Sequence, residues 1–183
     1  MTQTIRVDQL LREAVQGPYC DLVTRSTGRA VRTSIQQRLA SRPGSLALID
    51  FSEVGLVDFS CADEVIAKLL LDPPTETIIV LQGLREEQLE AIEHVLEHHA
   101  LAALVHDAAS GAARMVGRVS PDLRTAFFTL QRTGPASVQA LADRIGWAAD
   151  RAEAALLALV RLRLARTGSE GFVVPLAPEP LSP

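Results

Sequence analysis

Strand-like apolar runs alternate with segments of helical periodicity over the first two thirds of the chain. The runs Ser45–Phe51 and Thr77–Gln82 are typical of strands buried on both faces. Ala102–His106 predicts a third central strand and Ala113–Val119 a fourth at an edge, and the shorter apolar run Cys20–Thr24 precedes them all. Apolar residues three or four apart predict helices at Ser26–Ala40, Ser60–Leu71 and Arg85–His99. This order predicts an α/β layer around a mostly parallel or mixed sheet.

The pattern changes at Ser120-Pro121, where a serine N-cap followed by proline predicts a helix start. That helix stops near Gly134, and two further helices are predicted at 137–146 and Ala149–Arg161. Two short apolar segments around the glycine-rich turn at 168–171 predict a β-hairpin. We therefore predict an α/β domain over residues 1–119, a small α+β winged helix-turn-helix domain over 120–176, and a flexible tail over 177–183.

Composition narrows the class of protein. Hydrophobic residues make up 48% of the chain and charged residues 22%, which is enough to bury a core. Cys20 and Cys61 belong to no C-x-x-C pair, and their scarcity favours a reducing compartment. No apolar run approaches the roughly 20 residues of a membrane helix, and the charged N-terminus does not resemble a signal peptide. We expect a cytoplasmic protein that does not enter a membrane.

The stretch Leu48–Leu71 (LIDFSEVGLVDFSCADEVIAKLLL) resembles STAS and STAS-like domains, the fold of bacterial anti-sigma-factor antagonists. Those proteins place a strand ending in an acidic residue before a short loop, then Asp-Ser-Ser-Gly at a helix start. The matching run here is Asp58-Phe59-Ser60-Cys61, in which phenylalanine and cysteine replace the usual serine and glycine. The resemblance covers about Cys20 to Val119. It implies phosphorylation at Ser60 and an anti-sigma-type ATPase-kinase as the protein partner.

Ser60 has two interpretations from the residues themselves. At a helix N-terminus the free N–H groups and the helix dipole favour an added phosphate. The same position suits an unmodified N-cap serine, a role for which Asp58 competes. Asp63 and Glu64 fall in the first helical turn, where acidic side chains suit the dipole and would oppose a phosphate on Ser60.

The segment Pro121–Pro175 resembles bacterial winged-helix regulators, on the runs ALADRIG, LLALVRLRLAR and GFVV. Such domains bind DNA or only protein. Of the leading turn of the presumed recognition helix, only Arg151 is suited to a guanine edge or a phosphate, whereas Asp150 and Glu153 oppose the DNA backbone. The other candidate DNA contacts are Arg144, Arg161, Arg163 and Arg166. A homodimer would pool these contacts.

The charge distribution does not favour DNA binding. Residues 1–119 carry 11 basic and 16 acidic side chains, a net of −5, and residues 120–183 carry 7 and 6, a net of +1. Nucleic-acid-binding domains usually have a clear basic excess. Any DNA binding is therefore expected to be specific and dependent on a dimer.

Two further motifs suggest a metal site and an anion-binding site. His94 and His98 match the H-x-x-E-H metallopeptidase signature, but both point away from the apolar stripe of their helix, and no third ligand is evident. The polar run at 24–29 suits either an anion-binding turn or a loop capped by Ser26 or Thr27. We predict no catalytic residue, metal or cofactor. The expected function is a non-enzymatic transcriptional or signalling regulator, and the alternative is a protein–protein adaptor that does not bind DNA.

Overall fold

The chain divides into two compact units, Met1–Arg118 and Val119–Pro183. A computed structural model describes residues 2–44, 46–72, 77–107 and 113–174. The first unit is a mixed α/β structure on a five-stranded, mostly parallel sheet, as the sequence predicts. The predicted tail over 177–183 lies outside the described residues. Within the described residues, no helix has both the length and the apolar character needed to cross a membrane.

The sheet of the first unit follows chain order from edge to edge. Its strands are β1 (Thr2–Arg6), β2 (Leu46–Asp50), β3 (Ile78–Gln82), β4 (Ala102–His106) and β5 (Ala113–Gly117). The first four strands run parallel, and β5 closes the edge antiparallel to β4. Register aligns Ile5, Ile49, Leu81 and Val105 across the sheet, and all four are buried in the main core.

Helices connect these strands and complete the core. They are α1 (Val7–Val15), α2 (Arg25–Ala40), α3 (Phe59–Ala62), a π-helical segment (Asp63–Ala67), α4 (Lys68–Leu71) and α5 (Glu86–His98). Residues 59–71 are helical throughout. The buried face of α2 consists of Val31, Ile35 and Leu39, as their spacing predicts, with Gly28 at its start. A Cβ at Gly28 would lie 3.1 Å from the Glu64 Cβ, so glycine lets α2 pack closely on the π-helical segment.

Three features of the first unit differ from the sequence expectation. Neither β1 nor α1 was predicted. The polar run Thr2–Arg6 has no strand-like apolar pattern, and it forms β1 by pairing with β2. β2 is not buried on both faces: Ala47 and Ile49 are buried, whereas Leu46 and Leu48 are only half-buried. The apolar run Cys20–Thr24 contributes a single bridge, between Leu22 and Val57.

The second unit contains α6 (Pro121–Thr133), α7 (Val138–Ile145), α8 (Ala149–Arg161), β6 (Arg166–Gly168) and β7 (Gly171–Val173). Ser120 and Ser137 cap α6 and α7 by accepting hydrogen bonds from Leu123 N and Ala140 N. β6 and β7 form the expected antiparallel hairpin. Phe172 and Ala136 exchange two backbone hydrogen bonds, which fasten the hairpin to the segment before α7.

Candidate functional site

Two loops lie side by side before the starts of α2 and α3. Leu22 N donates to Leu56 O at 2.7 Å, and Asp58 N donates to Leu22 O at 3.0 Å. The Asp21 carboxylate accepts a hydrogen bond from Leu56 N at 2.8 Å. A Cβ at Gly55 would overlap that carboxylate, so glycine is needed for the close approach. The pairing places the N-termini of two helices beyond the carboxyl end of β2, the edge at which open α/β sheets usually bind ligands.

Ser60 lies at this edge but does not cap its helix. Asp58 is the N-cap, and its Oδ1 accepts hydrogen bonds from Cys61 N and from Ser60 Oγ, both at 2.8 Å. The Ser60 hydroxyl therefore supports the capping carboxylate from the first turn of α3. The interpretation of Ser60 as the N-cap is wrong because Asp58 stands immediately before the helix, and its carboxylate already accepts the hydrogen bond from Cys61 N.

The two loops and the start of α3 expose large apolar side chains. Leu56 is 63% exposed and Phe59 56%, and Tyr19 and Val23 are also exposed. The Phe59 ring makes an edge contact with His94 of α5 at 5.1 Å between ring centres, which holds it against the surface. We call Tyr19, Val23, Leu56 and Phe59, together with Ser60, the paired-loop surface. Grouped exposed apolar side chains on a soluble domain commonly mark an interaction site.

A buried carboxylate joins α2 to the helical segment 59–71. Glu64 is fully buried. It accepts hydrogen bonds from Lys68 and, at 3.2 Å, from Arg25, and Arg32 Nη1 lies 3.4 Å from its other oxygen. Arg29 Nη2 lies farther away, at 3.9 Å. Glu64 is therefore the centre of an ion-pair network, which we call the Glu64 cluster, and its cations come mainly from α2.

Asp63 extends the Glu64 cluster toward α5. His99 Nε2 lies 2.7 Å from Asp63 Oδ1, and Arg25 and Lys68 lie within 4 Å of Asp63 Oδ2. Burial raises the pKa of Asp63, but the hydrogen bond and charge of His99, together with Lys68 and Arg25, outweigh burial, and the net pKa is lowered. Burial likewise raises the pKa of Glu64, but the hydrogen bond and charge of Lys68, together with Arg25 and Arg32, lower it below its usual value. Both groups are therefore carboxylates at neutral pH.

The sequence pattern explains Glu64 by its place in the first helical turn and does not predict its ion pairs. A usable signal was present in α2, which has Arg25, Arg29 and Arg32 at i, i+4 and i+7 and no acidic residue. A basic stripe without acidic neighbours on its own helix predicts a partner carboxylate from another element. The π-helical turn beginning at Asp63 was also not predicted; such turns are frequent at functional sites.

The remaining candidates of the first unit have ordinary roles. Thr24 caps α2 by accepting a hydrogen bond from Thr27 N, so neither Ser26 nor Thr27 is the cap. His94 and His98 are exposed on α5. Among residues 2–44, 46–72, 77–107 and 113–174, no three His, Cys, Asp or Glu side chains are grouped to hold a metal ion. Burial and the neighbouring Asp58 charge raise the pKa of Cys61 to about 11, so this thiol stays protonated at neutral pH.

In the second unit, the predicted DNA contacts Arg151 and Arg144 interact with side chains of the same unit. Arg151 forms a two-point ion pair with Asp122, at 2.8 and 2.9 Å, and its guanidinium lies 4.4 Å from the centre of the Trp147 ring. Arg144 donates to Thr133 Oγ1 at 2.9 Å, at the end of α6. The other three are placed along the end of α8 and the hairpin: Arg161 and Arg166 are exposed, and Arg163 is half-buried.

The outward face of α8 carries acidic and apolar side chains up to Arg161 at its end. Its exposed side chains include Asp150, Glu153 and Leu157, which is 49% exposed. With Arg151 held by Asp122, the leading turn of α8 presents mainly carboxylates to solvent. Carboxylates repel the phosphates of a DNA backbone.

Comparison of the chain with protein families, with curated proteins and with solved structures found no match.

Proposed function

We propose that the chain is a non-enzymatic regulatory protein whose first, STAS-like unit binds another protein through the paired-loop surface. The observation that carries this proposal is the exposure of Leu56 and Phe59, with Tyr19 and Val23, beside Ser60. Hydrogen bonds between the two loops fix the backbone from which these side chains project before a partner arrives. A preorganised apolar patch loses little conformational entropy on binding.

The STAS resemblance makes an anti-sigma-type ATPase-kinase the candidate partner and Ser60 the candidate target. Ser60 Oγ lies 2.8 Å from Asp58 Oδ1, so a phosphate on Ser60 would place a dianion against the capping carboxylate. Phosphorylation replaces the Ser60 hydroxyl proton, so the hydrogen bond to Asp58 would be lost, and the repulsion between the two anions would loosen the start of α3, next to Phe59. Phosphorylation would therefore reshape the paired-loop surface, which is how it would regulate partner binding.

For the second unit we propose a winged-helix fold that contacts protein in preference to DNA. Arg151 is paired with Asp122, and the outward face of α8 exposes Asp150, Glu153 and Leu157 before Arg161 at its end. These features favour the adaptor alternative over a DNA-reading regulator.

An affinity capture from native extract, with nuclease treatment of half the sample, tests the proposal for the first unit. Phe59→Glu and Ser60→Glu should each lose a partner that the wild type retains after nuclease treatment. Leu71→Glu is the matched control, because Leu71 is comparably exposed at the other end of the same helical segment, about 18 Å away. A partner that all three variants retain would exclude the paired-loop surface as the binding site.

A gel shift with duplex DNA at two salt concentrations tests the second unit. We expect no shift of random duplex by the full chain at physiological salt, because few phosphates would be neutralised. If a specific duplex does bind, Asp122→Asn should strengthen that binding by releasing Arg151, and Arg163→Ala should weaken binding to all sequences alike. Tight binding to every duplex would contradict the preference for protein.

A further inference from the structure

The outward face of α8 has a charge pattern that is complementary to itself. Glu153 lies four residues before Leu157, and Arg161 lies four residues after it. Residues four apart on an α-helix drift by only about 40° around the axis, so these three side chains share one face. All three are exposed. An acidic group and a basic group therefore lie about 6 Å along the axis on either side of an exposed leucine.

We propose that this face binds the same face of a second copy of the chain, as an antiparallel helix pair with its two-fold axis at Leu157. In that arrangement Leu157 of each copy meets the other, and Glu153 of each copy lies opposite Arg161 of the other. A two-fold interface requires a surface that complements itself in this way. The occupant is thus a second copy, since an unrelated partner would not need the charges to be symmetric about one residue.

The surroundings of the face fit this pairing. Neither Glu153 nor Arg161 has an ion-pair partner within the described part of the chain, so both charges are available. Ala154 and Ala158 flank Leu157 on α8 and let a second helix approach closely. Arg151 is kept away from the face by Asp122 and Trp147.

The interface is small, which sets the conditions of the test. One pair of 13-residue helices buries less than the roughly 1,200 Å² of a stable interface. We therefore expect a weak dimer of the full chain, visible by sedimentation equilibrium only as the concentration approaches about 1 mM. Its Kd should rise with added salt, because the flanking ion pairs are exposed.

Charge reversal separates this arrangement from any other dimer. Glu153→Arg and Arg161→Glu should each raise the Kd about fivefold to tenfold, since each places like charges opposite one another. The double variant restores the opposite charges and should return to within about twofold of the wild type. Leu157→Glu should raise the Kd at least tenfold. Leu71→Glu, in the first unit, is the control and should leave the Kd unchanged.

Three outcomes would overturn the proposal. The full chain remains monomeric at the highest concentration, the double variant is as weak as the single ones, or Leu157→Glu leaves the Kd unchanged. Far-UV circular dichroism checks that each surface variant is folded. If the chain is monomeric and Leu157→Glu abolishes binding to duplex DNA, the outward face of α8 binds DNA and not a second copy. These results are independent of the paired-loop surface, which none of the α8 variants alters.

Discussion

Replacing Glu64 with glutamine removes the charge at the centre of the Glu64 cluster and keeps the side-chain volume. Glu64 is fully buried and faces Arg25, Arg32 and Lys68 at short range, with Arg29 at 3.9 Å. The substitution would leave those cations facing a neutral group between α2 and the helical segment 59–71. We therefore expect the first unit to be destabilised without a rearranged core.

The size of the expected loss of stability follows from how deeply the Glu64 carboxylate and its cationic partners are buried. Removing one member of a buried ion pair costs about 3–5 kcal/mol. The side chains of Arg25 and Arg29 are more than half exposed, so water solvates them when the carboxylate charge is lost, and the lower end applies. We expect Glu64→Gln to lower the free energy of unfolding by about 3 kcal/mol. Arg29→Gln, which removes the longest and most exposed contact, should cost less than about 0.5 kcal/mol.

Urea unfolding followed by far-UV circular dichroism measures this effect. With a denaturant slope of about 2 kcal/mol/M, the midpoint of Glu64→Gln should fall by about 1.5 M at pH 7. Glu97→Gln is the control, because Glu97 is exposed on α5 and should leave the midpoint unchanged. A Glu64→Gln midpoint equal to that of this control would refute the central role of Glu64.

The pH dependence of stability is an independent check, and its direction follows from the lowered pKa of Glu64. The folded-state pKa of Glu64 lies below its usual value of 4.5, so the carboxylate stabilises the fold above that pH. This contribution is lost as the pH falls through the lowered folded-state pKa. The stability gap between wild type and Glu64→Gln should therefore be full at pH 7 and shrink below about pH 4.5. A gap that stays constant down to pH 3 would show that the loss is due to packing and not to charge.

Two further predictions concern the loops and the thiols. Gly55→Ala should destabilise the first unit by about 1–3 kcal/mol, because its Cβ would overlap the Asp21 carboxylate. At Gly17 a Cβ would meet only Val15 O at 4.0 Å, an ordinary van der Waals contact, so Gly17→Ala should be neutral in the same urea assay. In native protein at pH 8, iodoacetamide should modify Cys20 well before Cys61, whose raised pKa and burial keep it protonated and enclosed. Equal modification by mass spectrometry would contradict the enclosure of Cys61.

Local signals were sufficient to predict much of the fold. Continuous apolar runs identified β2, β3 and β4, and Val31, Ile35 and Leu39 identified the buried face of α2. Ser120 and Ser137 cap the helices they were expected to begin. Each of these features depends on residues within a few positions of one another, where hydrophobic periodicity and capping hydrogen bonds act.

Other features depend on residues far apart in the chain, and only the tertiary structure decided them. The polar run Thr2–Arg6 is a strand because β2 offers it an edge. Asp58 caps α3 in place of Ser60, because its carboxylate accepts the hydrogen bond from Cys61 N. Glu64 is a buried ion-pair centre because Gly28 lets α2 come close enough for its arginines to neutralise the carboxylate. A buried charge is tolerated only when ion-pair partners from other parts of the chain neutralise it, and the residues next to Glu64 in the sequence do not reveal those partners.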